Sequence, residues 1–164
     1  WCGEPASSTC ALMAVEVVAR LALLGRQARV VVAPGAARMD RARAFARDMQ
    51  LGNALIVLED DAALASIAAH AAVAVAAPTI DGFCTNASQV EVPECLVPFA
   101  AAGTACLAQL GSSTESWVIA PPEPGVNGLA LCLARLLGSP DELTLAAAQA
   151  HAAAALRRAT LQSA

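Results

Sequence analysis

The chain is 164 residues long, enough for one domain with its own core, and is 57% hydrophobic but only 3% aromatic, so that core must be built from closely spaced Leu, Val and Ala. Its formal net charge is −4, and all ten basic residues are arginine. Asp40 and Asp48 interrupt the cluster Arg38, Arg41, Arg43 and Arg47, and no aromatics are interleaved with it, so it reads as a solvated helix face and not as a nucleic-acid surface.

Trp1 to Pro5 reads as a loop or as the tail of a strand that precedes it. Ser7, Ser8 and Thr9 offer caps for a helix that runs to about Leu24, with Leu12, Val15 and Leu21 at helical spacing and Gly25 as its stop. Residues 29–34 (RVVVAP) form a short continuous apolar run, the pattern of a strand covered on both faces. After the turn at Gly35 and Ala36 the arginine-rich helix is predicted to reach Gln50. A second strand follows at 54–58. Glu59, Asp60 and Asp61 then suit the positive end of a helix dipole. Residues 72–76 read as a third strand, 78–92 as a loop, and 94–102 as a helix stopped by Gly103. Strands at 104–108 and 117–120 come next, then a helix over 126–137. A long terminal helix from Asp141 to about Thr160 has its start marked by Pro140.

Short buried strands alternating with helices predict an open α/β fold. The expected architecture is a doubly wound parallel sheet of five or six strands, Rossmann-like, with helices on both faces. Ligands of such sheets bind at the carboxyl ends of the strands, which directs attention to 34–38, 58–61, 78–91, 109–115 and 120–125.

Six cysteines stand at 2, 10, 84, 95, 106 and 132 without C-x-x-C spacing, so neither a zinc site nor a redox pair is expected. Their apolar neighbours suggest free thiols and a cytoplasmic setting. The apolar run from Ala62 to Ala77 is broken by Ser66 and His70 and is too weakly hydrophobic to cross a bilayer; no secretory leader is expected either. A chain that opens at Trp1 is expected to be part of a longer one. His70 reads as a capping or packing residue, and His151 is given no role. The sequon Asn86-Ala87-Ser88 has no meaning in that setting. No nucleophile–base pair, metal cluster or complete phosphate loop is visible.

Three short segments carry the chemistry. The turn Gly35 to Arg38 joins a strand to a helix start and is either an ordinary turn or a place where backbone N–H groups and an arginine hold a phosphate. Asp81-Gly82-Phe83 follows the third strand as an acidic-Gly-Phe turn. Ser113, Thr114 and Glu115 follow the fourth strand and suit either a ligand contact or a helix cap.

The order of these elements, with Asp-Gly-Phe at 81–83 and Phe99-Ala-Ala-Ala-Gly103-Thr-Ala-Cys-Leu107 behind it, resembles the nucleotide-sugar-binding half of two-domain (GT-B) glycosyltransferases. The family typically reads Glu-Gly-Phe-Gly at that turn and opens there an E-x7-E motif whose acids contact the donor. Aligned on Gly103, Pro98 stands at the second acidic position and Val90 at the first. Asp81 and Glu94 are separated by an insertion, and Cys84 replaces the last glycine. Glu91 or Glu94 is a substitute acid, and the absence of lysine removes one diphosphate partner that the family commonly uses. The resemblance implies a donor site built from Gly35, Arg38, Asp81, Gly82, Phe83, Glu94, Ser113, Thr114 and Glu115. It further implies a nucleotide diphosphate sugar as substrate, no metal or other cofactor, and an N-terminal acceptor-binding domain in the parent chain. Alone, this half is expected not to turn over. The alternative is a domain that keeps the fold as a scaffold or interaction module and has lost the donor.

Overall fold

A computed structural model describes residues 8–32, 39–58, 66–76, 94–108, 116–123 and 125–162. In chain order they form α1 (Ser8–Leu23), β1 (Val30–Val32), α2 (Met39–Asp48), a 3-10 turn (Gly52–Ala54) and β2 (Leu55–Val57). Residues 66–68 are helical and lead to β3 (Val73–Ala76). A second 3-10 turn (Glu94–Leu96) runs into α3 (Val97–Ala101), followed by β4 (Ala105–Ala108), β5 (Val118–Ile119), α4 (Val126–Gly138) and α5 (Pro140–Gln162).

Three of the helices end in the same way. At the end of α1 the Arg26 N–H donates to the Leu21 carbonyl and the Gly25 N–H to the Ala22 carbonyl, with Gly25 at φ +72°. At the end of α3 the Thr104 N–H donates to Phe99 and the Gly103 N–H to Ala100, with Gly103 at φ +80°. This paired closure needs one left-handed residue, which glycine supplies without a Cβ penalty. Helix α2 closes identically, Leu51 N–H to Ala46 and Gln50 N–H to Arg47, but its left-handed residue is Gln50 at φ 58°.

The strands are all parallel and lie in two hydrogen-bonded pieces. β1 pairs with β2, Val30 opposite Leu55. β3, β4 and β5 form the second piece in that order, with Ala76 opposite Ala108 and Cys106 opposite Val118. The α/β class and the parallel pairing therefore hold, whereas the single continuous sheet expected from the sequence is divided among the described residues. β1 and β3 both line a cleft of about 650 Å³ that runs between the two pieces.

The three-stranded piece is covered on both faces, and the faces differ. Ala74, Ala76, Cys106, Ala108 and Val118 join Leu96, Phe99, Trp117, Ala150 and Ala154 in one cluster. Small sheet residues let the alanine stripe of α5 approach closely, and Phe99 and Trp117 fill the remaining volume. The alternate residues Val75 and Leu107 point the other way, with Val73 and Ile119 beside them, onto Met13, Val17 and Leu21 of α1 and Leu129, Leu133 and Leu136 of α4. Helix α1 turns a second face, Ala11, Ala14, Val15 and Val18, onto Val30, Val32 and the Met39, Ala42 and Ala46 side of α2. One helix thus ties the two sheet pieces together.

Candidate functional site

Because the strands within each piece are parallel, their carboxyl ends share an edge. β1 stops at Val32, β3 at Ala76 and β4 at Ala108. In sequence, Gly35 and Arg38 follow the first, Asp81, Gly82 and Phe83 the second, and Ser113, Thr114 and Glu115 the third. All of these residues lie outside the described ones, as do Val90, Glu91 and Cys84. Ala76 and Ala108 are register partners, so the chains carrying Asp81 and Glu115 leave the sheet from neighbouring positions.

Glu94 is the one donor-contact candidate inside the described residues. It opens the 3-10 turn that continues into α3. Pro98, which stands at the family's second acidic position, occupies the first turn of α3 and is exposed. That place suits a proline, since its missing N–H is not needed in the first turn. The helix–Gly103–β4 connection anticipated from the sequence is present, and it is braced from outside. The buried Thr104 hydroxyl donates to the Ala68 carbonyl at 2.6 Å, tying the entry to β4 to the entry to β3.

Each histidine makes its hydrogen bond to a backbone carbonyl. His70 Nδ1 is 2.8 Å from the Ser66 carbonyl, one helical turn back. A carbonyl only accepts, so Nδ1 carries the proton and the ring closes the end of its own helix. His151 was given no role from sequence, yet its Nδ1 donates to the Ala101 carbonyl at 3.0 Å and joins α5 to the end of α3. A polar residue flanking the alanine stripe Ala146, Ala150 and Ala154 was the available signal. The cleft between the sheet pieces presents Gln27, Arg29, Ser66 and His70 beside a mainly apolar lining of Val17, Val31 and Val75 and their neighbours, which suits no diphosphate.

The described thiols match the expectation of free cysteines: Cys106 and Cys132 are buried and Cys95 is exposed, all unbridged. Cys106 Sγ lies 3.4 Å from the Thr104 carbonyl. Burial pushes the Cys132 thiol above its ordinary 9.0, against a smaller lowering by Arg135 and with a further rise from Glu142. Arg135 and Glu142 pair at 3.2 Å across the α4–α5 junction. The described residues hold no cluster of His, Cys, Asp and Glu that would bind a metal ion, and no described helix is long and apolar enough to cross a membrane. No family model matches the sequence, and no curated protein matches it.

Proposed function

We propose that the chain is the donor-binding half of a GT-B glycosyltransferase, binding a nucleotide diphosphate sugar at the carboxyl edge of one doubly wound sheet in the order β2-β1-β3-β4-β5. The observation that carries this reading is the β3–β4 pair. Helix α3 closes at Gly103 directly into β4, and Ala76 and Ala108 end their strands side by side. The Asp-Gly-Phe and Ser-Thr-Glu segments continue from those two ends. The proposed contacts are Gly35 and Arg38 for phosphate, Asp81, Gly82, Phe83 and Glu94 for the sugar, and Ser113, Thr114 and Glu115 beside them. Catalysis would require the acceptor-binding half of the parent protein, whose closure excludes water from the cleft.

Titration with UDP or GDP tests this. Chemical-shift changes are expected at Gly35, Arg38, Gly82 and Glu115. Asp81→Ala is expected to weaken sugar-nucleotide binding roughly ten-fold or more with unchanged melting temperature, because a charge-assisted hydrogen bond to a hydroxyl contributes about 1.5–3 kcal/mol. No shifts at millimolar nucleotide, or shifts elsewhere, overturn the reading. The second reading, a scaffold that has lost its donor, is favoured by one observation: the exposed first turn of α3 presents Pro98 where a carboxylate is required. Under that reading Asp81→Ala lowers stability by about 1 kcal/mol through a lost loop cap and changes no affinity.

A further inference from the structure

The charges of this chain are segregated. Residues 1–58 contain seven arginines and four acids, whereas residues 59–164 contain three arginines and ten acids. The described ion pairs use little of the first group: Arg20 pairs with Glu16 at 3.0 Å, and the other pair, Arg135–Glu142, lies in the acidic part. Arg26, Arg29 and Arg47 have no ion-pair partner among the described residues.

These three arginines meet at the amino edge of the β1–β2 piece. Helices antiparallel to parallel strands bring their carboxyl ends to that edge, and the turns after α1 and α2 lead into β1 and β2. Between the two turns runs a shallow groove of about 580 Å³, and Arg26, Arg29, Gln27, Gln50 and Asn53 supply its polar side chains. Arg47 borders it, since a Cβ at Gly52 would stand 3.8 Å from the Arg47 Cγ. The same two turns display large apolar side chains to solvent. Leu23 is 86% exposed, Leu24 47% and Met49 45%. Leu23 follows the groove residue Ala22, and Met49 precedes the groove residue Gln50. Asp48 is the acid exposed at this end of α2.

We infer that this edge docks onto an anionic phospholipid surface, with Arg29 and Arg47 on the headgroup phosphates and Leu23, Leu24 and Met49 entering the headgroup–acyl boundary. Unpaired guanidinium groups beside exposed aliphatic side chains are the pairing that interfacial binding needs: charge for attraction, apolar area for retention. A single-stranded nucleic acid would need stacking platforms, and no aromatic side chain lines the groove. The inference concerns the edge opposite the proposed donor contacts and uses none of them, so either can fail without the other.

Co-sedimentation with vesicles tests it, using phosphatidylcholine alone and phosphatidylcholine containing phosphatidylserine. The protein is expected to pellet with the anionic vesicles only, and to be released as salt is raised. Arg29→Ala with Arg47→Ala should weaken binding about 25-fold, near five-fold for each arginine. Arg26 is kept in this variant because its guanidinium packs over Gly138 at the end of α4. Leu23→Ser with Met49→Ser, both at exposed positions, should weaken binding while leaving the melting temperature unchanged. Arg157→Ala with Arg158→Ala, on α5, should leave binding unchanged. Equal pelleting with neutral vesicles, no pelleting with either, or equal sensitivity to the α5 pair overturns the inference. Retention on an oligonucleotide with the same arginine dependence and no vesicle binding overturns it in favour of nucleic acid.

Discussion

The two sheet pieces are made of similar strands held in different ways. β4 has a partner on each side and a helix layer on each face, and all four of its residues are buried. β2 has one partner among the described strands, and its middle residue, Ile56, is 40% exposed. Sequence alone makes them alike, ACLA against LIV, and by side-chain volume β2 is the more hydrophobic. Burial is decided by the number of neighbours that a strand acquires, not by its own composition. The consequence is a division of labour. Burial is most complete around β3–β5, and the thinner β1–β2 piece leaves charge and apolar area on show.

Core truncations break that comparison most directly. Leu107 is fully buried against α1 and α4. Leu107→Ala should cost about 2–5 kcal/mol, the range for a fully buried leucine whose cavity cannot collapse. Ile56→Ala should cost about 1 kcal/mol, since much of the side chain already meets water. Urea unfolding of the two variants gives both values. Equal losses would show that Ile56 is covered in solution and that the contrast between the pieces is false.

The next largest effect is at Gly128, in the first turns of α4. A Cβ there would run into the backbone carbonyl of Glu123, so the loop before the helix rests on the bare Cα. Gly→Ala in a helix interior ordinarily gains about 1 kcal/mol. Here displacement of a backbone carbonyl outweighs that gain, at about 1–3 kcal/mol for overpacking, and Gly128→Ala should lower the melting temperature. A rise would mean that the loop does not press on α4, and that the buried piece is less tightly packed than its neighbour's exposure implies.

The secondary elements were legible because their signals are local. Every described strand falls inside an apolar run, and α1 and α3 end at the glycines that mark them, Gly25 and Gly103. Pairing was less legible, because whether β1 joins β3 depends on contacts far apart in sequence. Two small-residue details escaped for the same reason: the alanine face of β3 and β4 meeting the alanine stripe of α5, and the double duty of α1. Of the candidate site, the frame was readable in the Phe99–Gly103 helix end and its strand. The proposed contacts fall in segments of which Glu94 alone is described. The basic run reads in sequence as a solvated face, and Arg41 and Arg43 are exposed as that implies. Its larger pattern, arginines and exposed leucines converging on one edge, requires knowing that the ends of α1 and α2 meet.

Thiol chemistry should follow the same contrast on a smaller scale. Cys132 is 3% exposed and Cys106 fully buried. Both should resist a thiol reagent until the protein unfolds, while the exposed Cys95 reacts at once. Because burial raises the Cys132 thiol above its unfolded value of 9.0, the folded state holds its proton where the unfolded state has lost it. Stability from this group is therefore complete below pH 9.0 and declines as pH rises beyond it. Cys132→Ala should flatten that alkaline decline. An identical alkaline slope in the variant would assign the loss to other groups.

The smallest expected effect is a gain, and it tests whether the thinner piece carries strain where it meets its proposed partner. α1, α2 and α3 close with the same pair of hydrogen bonds, and glycine supplies the left-handed residue in two of them. In α2 that residue is Gln50, which also lines the amino-edge groove. A non-glycine residue in this conformation costs about 1 kcal/mol, partly offset by the entropy that glycine loses on folding, so Gln50→Gly should stabilise the protein by about 0.5 kcal/mol. A small rise in the urea midpoint with unchanged slope is the expected reading. The same variant removes the Gln50 amide from the groove, so a weaker pull-down on anionic vesicles alongside higher stability would identify glutamine there as a binding residue held at some cost to the fold. Higher stability with unchanged vesicle binding would leave the docking to Arg29, Arg47 and the exposed leucines. A loss of stability would mean that the Gln50 side chain makes contacts worth more than its backbone strain, and that the end of α2 is as well supported as the ends of α1 and α3.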